Sequence, residues 1–166
     1  MTQITFKGNP MSTVGELPKV GEKAKDFTLV KGDMSRVGLA DFKGSKLVLN
    51  IFLSLDTSTC AASVRQFNQA AANLENTKVL CISKDLPFAQ SRFCAAEGIE
   101  NVITLSDFAT AEFGKNYGLE IADGPLQGLL SRVVIVVDEN GTISYIQRVQ
   151  ENSHEPDYTD VLKALQ

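Results

Sequence analysis

The sequence predicts an α/β domain built on a mixed central sheet, and three features carry that expectation. The first is "SKLVLNIFLSL", where Lys46 leads into Leu47, Val48, Leu49, Ile51, Phe52 and Leu53. So continuous an apolar run suits a central strand covered on both faces. The second is order: segments of strand character alternate with segments of helical spacing, as in a sheet flanked by helices. The third is "RVVIVVDENGTISYIQRV", a hairpin pattern turning at "ENG", which supplies antiparallel strands.

The elements follow in chain order. "ITFKGNPMSTV" predicts a short N-terminal β-hairpin with "GNP" as its turn. A short strand is expected near Phe27 to Val30, before the central run. A helix is expected from about Ser58 to Leu74, because Val64, Phe67, Ala71 and Leu74 recur at helical spacing. "KVLCISKD" reads as a second buried strand. "LPFAQSRFCAAEG" reads as a helix, with Pro87 in its first turn and Gly98 just past its end. "NVITLSD" is a short strand, "TAEFGKNYG" a short helix ending at Gly118, and "PDYTDVLKALQ" a closing amphipathic helix.

One domain over residues 1–166 is the simplest account, since no repeat, low-complexity tract or linker interrupts the pattern. The balance of 16 basic and 20 acidic residues gives a net charge of −4, with no basic stripe for nucleic acid and no basic amphipathic segment for a membrane surface. No apolar run has the length of a membrane span, and the N-terminus lacks the apolar core of a signal peptide. A cytoplasmic protein is expected. Three cysteines in a reducing compartment are not a disulfide framework. With one histidine and neither CxxC nor HxxxH, metal-ligand spacing is absent, which leaves only carboxylate sites open.

The cysteines differ in setting. Cys81, inside "VLCIS", reads as a small core hydrophobe. Cys60 falls in the first turn of the predicted helix, directly after the central strand. Unpaired N–H groups converge there, and the helix dipole favours a thiolate. Open α/β sheets also place their sites at the carboxyl ends of strands. Three hydroxyls, Thr57, Ser58 and Thr59, precede the thiol, and one of them can simply cap the helix. Position alone leaves Cys60 open between a core cysteine and a reactive one. Cys94, on the next helix, reads by itself as a helix-face residue.

"DTSTCAASVRQFNQ", "VLCISKDLPFAQSRFCAAEG", "NVITLSDF", "YGLEIADGPLQGLLSRVVIVVDENG" and "EPDY" together resemble the bacterial thiol peroxidase branch of the peroxiredoxins. The likeness runs in order from about Ile4 to the last helix, and the block around "DLPFAQSRFC" is its most specific part. The resemblance implies a thioredoxin-like fold with an added N-terminal β-hairpin. It implies reduction of hydroperoxides without haem, flavin or metal. The family's pattern is Pro-x-x-x-Thr-x-x-Cys with an arginine from a distant strand. Thr57 matches the threonine, Cys60 the peroxidatic cysteine, Arg132 the arginine and Cys94 the resolving cysteine. At the proline's position stands Leu53, which does not lock φ and keeps a backbone N–H.

The chemistry implied is oxidation of Cys60 to a sulfenic acid, then closure of an intramolecular disulfide with Cys94. The two thiols, on separate helices, are expected to lie too far apart to bond when reduced, so a helix end must unwind. Without a CxxC, an outside donor must reopen the disulfide, and by resemblance that donor is thioredoxin. Alkyl hydroperoxides and hydrogen peroxide are the implied substrates, and a homodimer the implied assembly. Three rivals stand beside this reading. A cysteine hydrolase would need a base, and the only candidate is His154 in the polar loop "ENSHEPD". A thiol–disulfide oxidoreductase lacks its CxxC. A non-catalytic peroxide-sensing switch would use the same cysteine pair.

Overall fold

The computed structural model describes residues 2–166. Two strands, β1 (Thr2–Phe6) and β2 (Asn9–Thr13), form a separate antiparallel hairpin. The main sheet holds β3 (Thr28–Val30), β4 (Arg36–Gly38), β5 (Lys46–Ile51), β6 (Thr77–Ser83), β7 (Ile103–Ser106), β8 (Val133–Val137) and β9 (Ile143–Arg148). Four helices accompany them: α1 (Ser58–Ala71), α2 (Pro87–Glu97), α3 (Glu112–Asn116) and α4 (Tyr158–Ala164).

The sheet order is β4-β3-β7-β6-β5-β8-β9. Strands β5, β6 and β7 pair in parallel, while β8, β9, β3 and β4 pair antiparallel, so the sheet is mixed as the sequence predicts. The central position of β5 follows from its composition. Leu47, Val48, Leu49 and Ile51 are all buried, and alternate residues serve opposite faces. Val48 and Phe52 join Val64 and Phe67 of α1 and Val161 of α4 in one core layer. Leu47, Leu49 and Ile51 face Phe113 of α3 and Tyr117 in the other. Each fully buried side chain of this size contributes roughly 1.5–3 kcal/mol.

The N-terminal hairpin turns one step earlier than expected. Its turn is Lys7–Gly8, with φ of 51° and 82°, and Asn9 and Pro10 belong to β2. A two-residue hairpin turn whose two central residues both have positive φ matches the twist of its strands. Proline, fixed near −65°, cannot fill such a turn but is tolerated on an unpaired strand edge. Helix α1 also stops short of Leu74: Asn73 and Leu74 donate to Ala70 O and Ala71 O, which tightens the last turn and ends the helix. Leu74 still packs on the core. Strand β4 and the single 3₁₀ turn at Leu39–Phe42 are additional elements, too short and too mixed in polarity to carry a sequence period. Helix α2 has both expected boundaries, with Pro87 at its start and Gly98 in the left-handed region at its end.

Candidate active site

Strand β5 ends at Ile51, and the chain reaches α1 through a loop held by two devices. Thr57 caps the helix: its hydroxyl oxygen accepts from Cys60 N at 3.3 Å and its O–H donates to Ser54 O at 3.0 Å. Asp85, just before α2, accepts from Leu55 N at 2.8 Å and from Ser54 Oγ at 2.7 Å. The loop before Cys60 is thereby tied to the start of the helix that carries Cys94.

Cys60 lies in the first turn of α1 and is fully buried. Arg132, immediately before β8, reaches it: Nη2 donates to Cys60 Sγ at 3.1 Å. The arginine is itself 1% exposed and has no carboxylate partner among the described residues. Its Nε and Nη2 instead donate to Asn152 O at 3.2 and 3.1 Å, and Nη1 has no partner among the described residues. Beneath the same turn, Ser63 Oγ donates to Cys60 O at 2.8 Å and accepts from the buried Asn50 amide at 3.3 Å.

A cavity of about 280 Å³ opens over the first turn of α1, lined by Leu53, Thr57, Ser58, Thr59, Arg132 and Asn152 among others, and the buried Cys60 sulfur lies behind it, in contact with Arg132. Leu53, where the proline of the resembled pattern would stand, is buried against this wall. A larger hollow of about 400 Å³, between Ala24, Phe42 and Gly141, lies away from Arg132 and the start of α1, so chemistry rather than size selects the smaller one. The cavity brings a cationic group, a hydroxyl and the start of a helix to one thiol. Such a setting stabilises negative charge on sulfur and on an oxygen bound next to it.

The other sequence candidates fall elsewhere. Cys81 is buried in β6 beside the Asn50 amide, and burial pushes its thiol up to about 12. Cys94 sits half-buried on α2, with its sulfur 3.9 Å from Thr104 Oγ1 on β7, and burial pushes its thiol up as well. Cys60 and Cys94 are both free thiols with different partners. His154 is exposed and does not line the cavity. Sequence reasoning missed Asn152 and its neighbours. Only the register of the β8–β9 hairpin, which sets Val133 opposite Arg148, brings the residues after β9 against Arg132. Within the polar loop "ENSHEPD" the sequence singles out the histidine and passes over Asn152.

Comparison with known proteins follows from this geometry. Residues 19–162 match the family model described as Redoxin. The thiol peroxidase of Corynebacterium glutamicum is 57% identical over 165 residues, covering 99% of each chain. The chain belongs to the thiol peroxidases of the redoxin family. The thiol peroxidase of Mycobacterium tuberculosis is 50% identical, again over 99% of both chains. Among solved structures, a peroxiredoxin-like protein from Aquifex aeolicus has a TM-score of 0.94 at 36% identity, covering 99% of this chain and 96% of its own. A thiol peroxidase from Chromobacterium violaceum, with a TM-score of 0.91 at 22% identity, shares the fold. This thiol peroxidase thus has the thioredoxin-like α/β fold and is an enzyme that reduces peroxide through cysteine redox chemistry. Among its described residues no helix is long and apolar enough to cross a membrane.

Proposed function

We propose that residues 1–166 form one cytoplasmic peroxidase domain in which Cys60 is the peroxidatic and Cys94 the resolving cysteine. The observation that carries this is the 3.1 Å contact of Arg132 Nη2 with Cys60 Sγ beside a cavity that Thr57 also lines. The Cys60 thiolate attacks the terminal oxygen of a hydroperoxide. An S–O bond forms, the O–O bond breaks, and the departing alkoxide or hydroxide takes up a proton to leave as alcohol or water. The free Nη1 of Arg132 offers donors to the peroxide oxygens as charge develops on them. Thr57 gives its proton to Ser54 O, so its hydroxyl meets the peroxide through a remaining lone pair, as acceptor of the O–H.

The sulfenic acid is then attacked by Cys94. An S–S bond forms, the S–O bond breaks, and water leaves. Burial holds Cys94 as the poorly reactive thiol in the closed state, so opening of α2 both delivers it and activates it. Thioredoxin, a dithiol donor, then returns two electrons and two protons to the disulfide. Alkyl hydroperoxides and hydrogen peroxide are the substrates, and the working assembly is a homodimer.

The test is peroxide turnover coupled to thioredoxin, its reductase and NADPH. Cys60→Ser should be inactive. Cys94→Ser should consume one equivalent of peroxide and stall as the sulfenic acid. Cycling by Cys60→Ser at the wild-type rate would refute the assignment.

A further inference from the structure

Apart from the Cys60 sulfur, Arg132 is held by neutral groups, and nearly all of them belong to one residue. Asn152 is fully buried. Its side-chain Oδ1 accepts from Arg132 N at 2.6 Å, and its backbone carbonyl accepts from Arg132 Nε and Nη2. Its Nδ2 donates to Val149 O at 3.2 Å and to Thr5 O at 3.3 Å, while its N–H donates to Thr5 O at 2.8 Å. One amide side chain therefore fixes the loop after β9, joins it to β1 and grips the backbone of the residue it serves.

The two neighbours extend the frame. Glu151 accepts from Lys7 N at 2.9 Å and Gly8 N at 2.8 Å, which fastens the turn of the N-terminal hairpin. Ser153 O accepts from Thr59 Oγ1 at 3.0 Å, which fastens the first turn of α1. Three consecutive residues thus connect the hairpin, the arginine and the helix of the thiol.

We propose that Asn152 is the positioning residue of this site: it aims the Arg132 guanidinium at Cys60 while leaving its positive charge unneutralised. The proposal rests on the reading of Arg132 as the group that activates Cys60. A guanidinium has five donors in a rigid fork and ordinarily takes a carboxylate. A carboxylate here would spend the charge that the thiolate and the peroxide require. A carbonyl satisfies the Nε–Nη2 edge without doing so, and it leaves Nη1 facing no protein acceptor. The carbonyl belongs to a loop, and the Asn152 side chain gives that loop a fixed place.

The experiment measures the first oxidation of the reduced protein by hydrogen peroxide, by rapid quench and mass spectrometry, over a range of pH. Asn152→Ala, Arg132→Gln and the double variant form a cycle. Asn152→Ala is expected to slow the oxidation about 100-fold, the scale of loss for a reacting group displaced by about 1 Å. Its pH profile should move to higher pH, and the same substitution should cost nothing further in the Arg132→Gln background. An equal loss in both backgrounds, or no loss in either, overturns the positioning role. Unchanged oxidation in Arg132→Gln alone overturns the reading of Arg132, and the positioning role falls with it. Should Asn152→Ala fail to fold, Asn152→Asp keeps the acceptor for Arg132 N but loses the Nδ2 donor to Val149 O and Thr5 O and adds a charge. It should slow oxidation and shift the profile to higher pH, and a wild-type profile would overturn the proposal.

Discussion

Arg132 Nη2 donates to Cys60 Sγ across 3.1 Å, and both residues are shut off from solvent. A charge-assisted bond of this kind gains from its low-dielectric setting, because neither partner is hydrated. It also restricts what can replace the arginine. Arg132→Lys keeps a charge but loses the planar edge that rests on Asn152 O. Both Arg132→Lys and Arg132→Gln should lower the rate of Cys60 oxidation by about 100- to 1,000-fold, the usual loss for one preorganised donor. Stopped-flow oxidation of the reduced variants checks this, and a lysine variant at wild-type rate would show that charge alone suffices.

Leu53 offers a test of the loop before the thiol. Its side chain is buried beside the cavity, and its N–H makes no hydrogen bond among the described residues. Proline at this position removes no backbone bond, and a compatible proline stabilises by about 0.4–1 kcal/mol through the unfolded chain. Leu53→Pro sets that gain against the packing lost from a leucine buried in the core, so its melting point reads which of the two is larger, while the cavity wall becomes stiffer. Repeated turnover at high peroxide should then give a different sulfinic acid yield from wild type, readable by mass spectrometry. A melting point lowered by several degrees, with the same loss in Leu53→Ala, would trace the effect to lost core packing, whereas a loss in Leu53→Pro alone would mean that the backbone cannot accept proline's φ.

The alkaline limit of stability should trace to Cys81. Burial raises its thiol from 9.0 to about 12 in the folded state, with the Asn50 amide as a weaker opposing influence. A raised folded value gives stability that is complete below 9.0 and is lost as pH climbs from 9.0 towards 12. Within that window each such proton costs about 1.4 kcal/mol per pH unit. Urea unfolding under reducing conditions should show a steeper decline with pH for wild type than for Cys81→Ala. Parallel slopes would remove Cys81 as the cause. Tyr145, raised to about 12 by burial and its bond to Asp160, and Cys94, raised by burial, leave a residual slope in both.

Glu151 sets a limit at the acid end. Its carboxylate is held well below the usual range, first by the Ser153 hydroxyl and then by the Gly8, Ser153 and Lys7 amides. A depressed folded value gives stability that is present above 4.5 and disappears as pH falls below it. Protonation should loosen the hairpin turn before the sheet is affected. Hydrogen exchange at Lys7 and Gly8 should lose protection on acidification in wild type. In Glu151→Gln it should be low and flat, and strong protection there would show that the charge is dispensable.

The sheet and helices were legible because their signals are local. An unbroken apolar run marks β5, a 3.6-residue stripe marks α1, and Pro87 and Gly98 bracket α2. The N-terminal turn was misplaced because proline and asparagine outweighed Lys7, which carries no turn signal of its own but adopts φ of 51°. Position at the start of a helix after the central strand marks Cys60 and the hydroxyls before it, but Arg132 is singled out only through resemblance, since it lies 3.1 Å from the sulfur yet far from it in sequence. Asn152 had no such aid. Its role depends on the register of β8 with β9 and on one buried amide, neither of which leaves a pattern in the chain.

Helix α2 should govern the balance between disulfide closure and overoxidation, and Gln90 is the place to disturb it. The Gln90 side chain is fully buried, and its Nε2 donates to Leu105 O at 2.8 Å and Ser83 Oγ at 3.3 Å, anchoring the helix to β6 and β7. Removing a buried partner leaves an unsatisfied acceptor and costs about 1–3 kcal/mol. On the proposed role of Cys94 as resolving thiol, that cost falls on the segment that opens to deliver it, so the opened state becomes more populated. In Gln90→Ala, Cys94 of the reduced protein should be alkylated faster than in wild type. After one equivalent of peroxide the disulfide should close sooner and less sulfinic acid should accumulate. Faster alkylation with unchanged closure would place the slow step in α1, where Thr57, Thr59 and Ser63 hold the first turn.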